Sequence, residues 1–66
     1  MENKDLLLNL AAKLKGLRKT KNVTQEQVLN DTGIHIARIE QGTRDVSYTT
    51  LCKLADYFGV GLGELR

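Results

Sequence analysis

The chain has 66 residues, no proline, one cysteine and a formal net charge of +2. That length holds a single domain, 1–66 with a core of about 7–65, which buries roughly 60% of the surface its unfolded form exposes and is therefore only marginally stable. The lone Cys52 excludes an internal disulfide and argues against a zinc site, which needs four Cys or His ligands; no metal or other cofactor is expected. No run approaches the ~18 apolar residues of a membrane span, and Leu6-Leu7-Leu8 is too short for the core of a signal peptide. A cytoplasmic protein with no membrane partner is expected. Lys13, Lys15, Arg18, Lys19 and Lys21 form a basic block with no acid inside it. Such a block suits a polyanion, but charge alone favours a solvated helix face.

Residues 5–20 read as an amphipathic helix. Leu7, Leu10, Leu14 and Leu17, with Ala11 beside them, follow the i, i+3, i+7 spacing of a buried stripe. Leu6 and Leu8 lie off that stripe. Asp5 suits the positive end of the helix dipole and Lys19 and Lys21 the negative end. Asn22 is a candidate left-handed residue after the last turn. Thr24 then caps a second helix over 24–30, and Gln27 stands where a capping-box side chain reaches back to the cap. Asn30 to Gly33 break the pattern, and Asp31 or Thr32 can cap a third helix over 32–41 with Ile36 and Ile39 on one face. Helices this short need packing by the rest of the chain. A polar loop runs from Thr43 to Val46. Ser47 caps a fourth helix over 47–58, with Leu51, Leu54, Ala55 and Phe58 on its inner face and Gly59 as its stop. Val60, Leu62 and Leu65 suit a last turn over 61–65, weakened by Gly61 and Gly63, each costing about 1 kcal/mol against alanine. The expected fold is all-α: a compact bundle of four to five short helices.

Several stretches in register carry a resemblance. Arg18 lies seven residues before Gln25, and Thr24-Gln25-Glu26 opens a helix. Ile36-Ala37-Arg38-Ile39-Glu40-Gln41-Gly42 is similar to an Ile-Ser-Arg-Ile-Glu-x-Gly pattern. Ser47 to Leu54 is similar to Ser-x-x-Thr-Leu-x-Lys-Ile, and Phe58-Gly59-Val60 with Leu62, Glu64 and Leu65 is similar to a closing segment. From about Leu10 to Leu65 the chain resembles the Cro/phage-repressor type of helix-turn-helix domain, the XRE family, with a lambda-repressor-like fold. It departs from that pattern by about three residues between Thr24 and Ile36. The shortening predicts that helix 2 stops near Leu29 or Asn30 and that Thr32 caps helix 3 directly.

The resemblance implies double-stranded DNA as the partner, with helix 3 in the major groove and its first side chains at base edges. Those side chains are Thr32, Ile34, His35 and, one turn on, Arg38; Gly33 offers none. Arg38 suits guanine O6 and N7, and Ile34 a thymine methyl. Burial of Ile34 and a helix-closing role for His35 stand as alternatives. Gln25 and the loop residues Gly42, Thr43 and Arg44 are the implied phosphate contacts, and Gly42 also suits the residue that closes helix 3. Arg18 and Glu40 are the implied structural ion pair between helix 1 and helix 3.

The function this implies is a sequence-specific transcriptional regulator, a repressor acting by operator occupancy. A homodimer on a two-fold site is implied, through helix 5 and the C-terminal segment, with no small-molecule ligand. The alternative is a protein–protein module, an antitoxin or adaptor, with Leu6, Leu8 and Tyr57 as its apolar patch. An enzyme is not expected: His35, Cys52 and the carboxylates have no spacing that pairs a nucleophile with a base.

Overall fold

The computed structural model describes residues 3–42 and 44–65. Among these, four α-helices precede a closing 3-10 helix: α1 Asn3–Lys21, α2 Gln25–Thr32, α3 Ile36–Glu40, α4 Tyr48–Phe58 and the 3-10 helix Leu62–Leu65. No strand occurs among the described residues, and the fold is all-α.

The stripe on α1 is the floor of the core. Leu10, Ala11 and Leu14 are buried, with Leu7 and Leu17 half-buried at the edges. The helix ends where Asn22 turns left-handed at φ 62. Its N–H donates to the Lys19 carbonyl at 3.0 Å, and the Val23 N–H reaches back to the Arg18 carbonyl at 3.1 Å. This closure satisfies carbonyls that a helix end otherwise leaves bare. Thr24 caps α2, its Oγ1 accepting from the Gln27 N–H at 3.0 Å. The Gln27 side chain does not turn back, as a capping box requires; its Nε2 donates forward to Asp31 Oδ1 at 2.9 Å.

The turn between α2 and α3 differs from expectation. α2 continues to Thr32 and α3 begins only at Ile36. Thr32 therefore ends one helix rather than capping the next. Its hydroxyl donates to the Val28 carbonyl at 2.7 Å and accepts from the Ile34 N–H at 3.1 Å. Gly33 adopts φ 76 and donates to the Leu29 carbonyl at 2.8 Å. Asp31 is held from two sides, by Gln27 and by the Tyr57 hydroxyl, whose distance to Oδ2 is 2.7 Å. These bonds carry α2 past Asn30, where residue pattern alone shows only breakers.

α3 is five residues long, and Ile36 and Ile39 are buried. α4 is capped by Ser47, whose Oγ accepts from the Thr50 N–H at 3.2 Å, and it buries Leu54 and Ala55. It ends at Gly59, with the Val60 N–H bonded to the Ala55 carbonyl at 2.9 Å. The last segment is a 3-10 helix that delivers Leu65 into the core, and Glu64 caps it by accepting from the Gly61 N–H at 3.0 Å. Leu14, Val28, Ile36 and Leu54, one from each α-helix, are fully buried at the centre. α1 packs against α3, α4 and the 3-10 helix, and α2 against α3 and α4.

Candidate nucleic-acid interface

α3 turns Ile36 and Ile39 inward, so helical geometry sends Ala37, Arg38 and Gln41 outward. Arg38 and Gln41 are exposed and Ala37 is half-buried. The helix lies between two polar clefts. One is lined by Lys15 and Arg18 of α1, Thr24 and Gln25 at the start of α2, and Ala37, Glu40 and Gln41 of α3. The other is lined by Ile34, His35, Arg38 and Ile39, by Arg44, Asp45 and Val46 of the loop, and by Ser47 and Thr50 at the start of α4.

The two clefts divide the residues that the sequence singles out. Arg38, His35 and Arg44 share the α4 side, and all three side chains are exposed. His35 occupies the cap position of α3 without making a side-chain cap bond, so it does not close the helix start. Ile34 is half-buried and packs against the core. Thr32 is not on α3 at all but at the end of α2, where its hydroxyl donates to the Val28 carbonyl and accepts from the Ile34 N–H. Gly42 is also redirected. Its N–H donates to the Ile39 carbonyl at 3.0 Å, and the residue is buried under α1, so it cannot present that N–H to a phosphate. Thr43 lies outside the described residues. Gln25 is on the opposite cleft, where its Nε2 donates to Glu40 Oε1 at 3.1 Å.

Arg18 and Glu40 meet as a two-point pair: Nε to Oε2 at 2.8 Å and Nη2 to Oε1 at 3.1 Å. Arg18 also donates to the Val23 carbonyl at 3.3 Å. The side chains keep 15% and 5% of their exposure. The hydrogen bonds that Arg18 donates to Glu40 push its already high pKa further up against the opposing effect of burial, so the guanidinium stays charged at every working pH. One carboxylate thus ties α1, the start of α2 and α3 together.

Sequence reasoning passed over Lys15, except as one of a block, and Gln41. Both were within reach of the pattern. With α3 begun at Ile36, Arg38 and Gln41 fall one turn apart, opposite Ile36 and Ile39. A helix begun at Thr32 would include Thr32 to His35, which belong to the end of α2 and the turn.

Residues 9–66 match the family described as Helix-turn-helix domain. That match spans most of the chain, and the chain belongs to this family. No curated protein and no solved structure matches it. Helix-turn-helix domains are DNA-binding modules, so membership points to DNA as the partner. No helix among the described residues is long and apolar enough to cross a membrane.

Proposed function

We propose that the protein is a sequence-specific, double-stranded DNA-binding transcriptional regulator of the Cro/phage-repressor (XRE) kind. It is a non-catalytic cytoplasmic repressor, bound as a homodimer to a two-fold operator with α3 in the major groove. The observation that carries this reading is the exposed face of α3, with Arg38 on its outer side and a polar cleft along each flank. A helix entering a groove about 12 Å wide meets base edges beneath it and a phosphate strand on either side. Arg38 donates to guanine O6 and N7, His35 meets the neighbouring base edge or phosphate, and Ala37 suits a thymine methyl. Arg44 on one flank and Gln25 on the other hold phosphates, the latter with the free N–H groups at the start of α2.

The test is affinity for a selected duplex and for random duplex. Arg38→Ala should weaken the selected site by about 1–3 kcal/mol more than random DNA. Equal losses on both would remove Arg38 from base reading.

A second reading, an adaptor or antitoxin, is supported by a separate apolar surface. Leu6, Leu8 and Tyr48 are 52%, 47% and 71% exposed, and Leu6 and Tyr48 line one groove with Leu7, Leu10 and Leu51. Tyr57 is not part of it, being bonded to Asp31 on α2. Salt-insensitive co-purification with a protein, without DNA retention, would favour this reading.

A further inference from the structure

We propose that Lys15 and Gln41 form a phosphate grip on the α1 flank of α3, extending the DNA contact to helix α1. The inference rests on the DNA-binding reading above and assigns two residues to it. Both line the cleft between α1, α2 and α3 together with Gln25 and Ala37. Lys15 is exposed and has no carboxylate within salt-bridge distance among the described residues. The one carboxylate in the cleft, Glu40, does not cancel it. Glu40 is 5% exposed and its charge is met at two points by Arg18. The accessible polar wall is therefore the Lys15 ammonium and the Gln25 and Gln41 amides, with the Thr24 hydroxyl beside them. These groups are short of acceptors, and a phosphodiester supplies acceptors and a negative charge.

Gln25 is already oriented for this. Its Nε2 spends one hydrogen on Glu40, which leaves the other for an outside acceptor. Gln41 approaches from α3 and Lys15 from α1, so three elements converge on one group. Arg44 stands on the other flank. The α1 cleft thus answers the second of the two strands that border a major groove.

The basic block on α1 is sorted by the same geometry. Lys13 sits beside Gly16, Leu17 and Glu64 on another side of the helix, and Lys21 lies over the Tyr57 ring at 5.1 Å. Of these three, only Lys15 faces the cleft. This makes Lys13 a matched control, since Lys13→Ala removes the same charge from the same helix.

The experiment measures binding of random and selected duplexes across a salt series for the wild type, Lys15→Ala, Lys13→Ala and Gln41→Ala. Each variant is first checked for unchanged helical circular dichroism and Tm, and Lys15→Gln, Lys13→Gln or Gln41→Ser replaces the alanine variant at its own position if that variant unfolds. Lys15→Ala should lower the slope of log K against log salt by about 0.9, one phosphate's worth, on both duplexes. Lys13→Ala should leave the slope unchanged, and Gln41→Ala should weaken both duplexes equally without changing it. Equal slopes for wild type and Lys15→Ala overturn the grip, as do equal slope losses for Lys13→Ala and Lys15→Ala, which would mean that net charge alone acts. A Gln41→Ala loss confined to the selected duplex makes Gln41 a base reader and overturns its place here. Failure of the wild type to bind either duplex sinks the DNA reading itself, an outcome distinct from all of these.

Discussion

Two polar networks hold this domain at the scale of single residues, and they respond differently to change. The Arg18–Glu40 pair is largely out of water. Arg18→Met leaves Glu40 with Gln25 alone, and a stranded charge of this kind costs ~3–5 kcal/mol when fully buried. A clear drop in the urea midpoint is expected for Arg18→Met, with part of it regained in Arg18→Met combined with Glu40→Leu. Unchanged midpoints would mean that water already screens the pair. The Asp31–Tyr57 bond lies on the surface. The Gln27 amide, and then the Tyr57 hydroxyl, hold the Asp31 carboxyl below its ordinary 3.8, while Asp31 holds the Tyr57 hydroxyl above its ordinary 10.0. A lowered carboxyl contributes stability above pH 3.8 that fades as pH falls through its folded value. A raised hydroxyl contributes stability below pH 10.0 that fades as pH rises through its folded value. Tyr57→Phe should therefore lower Tm slightly at neutral pH, as expected of an exposed contact. The gap from wild type should close towards both ends of the pH range. A gap that is constant with pH would assign the loss to packing instead.

At the scale of elements, the Thr24 and Ser47 caps were legible, while the Gln27 capping box, the Thr32 cap and the turn were not. Thr24 and Ser47 are short-range signals, since an N-cap bonds within its own first turn, and both cap where their side chains predict. Beside local bonds, the end of α2 carries one from the Tyr57 hydroxyl to Asp31, 26 residues away, and no local pattern contains that contact. The two glycines flanking α3 separate conformational cost from steric cost. Gly33, at φ 76, has open space where a Cβ would lie. Gly33→Ala should cost about 1–2 kcal/mol, the left-handed penalty alone. Gly42, at φ 73, would set a Cβ 2.6 Å from Leu8 Cδ2, so Gly42→Ala adds the displacement of Leu8. That excess should disappear when both variants are made on a Leu8→Ala background, as read from denaturation midpoints. If Gly42→Ala remains costlier there, the loop itself resists the change. Leu8 looked like a residue off the apolar stripe; it covers Gly42.

The whole molecule is organised by α1. Its 19 residues, rising about 1.5 Å each, make it longer than the 21 Å that the molecule measures in two of its three directions, the third being 32 Å. Fold class and the buried positions of α1, α3 and α4 were legible because apolar spacing needs no long-range knowledge, whereas Val28, fully buried on the short α2, carried no such spacing. The flanks of α3 were not, because Lys15 and Gln41 meet only after three elements have packed. A domain this small leaves little reserve. Native stabilities run near 0.05–0.15 kcal/mol per residue, which for this length is roughly 3–10 kcal/mol. Leu14 is fully buried at the centre of the core, and a Leu→Ala change in such a site costs about 2–5 kcal/mol. Leu14→Ala should therefore consume much of the total and leave a substantial unfolded population at 37 °C. Leu6→Ala removes the same atoms from the same helix at a position 52% exposed, and should shift the midpoint little. Urea titrations of both variants, followed by helical circular dichroism, make the comparison. Similar losses for the two would mean that the apolar groove around Leu6 is as much a part of the core as Leu14. A negligible loss at Leu14 would break the packing described for α1.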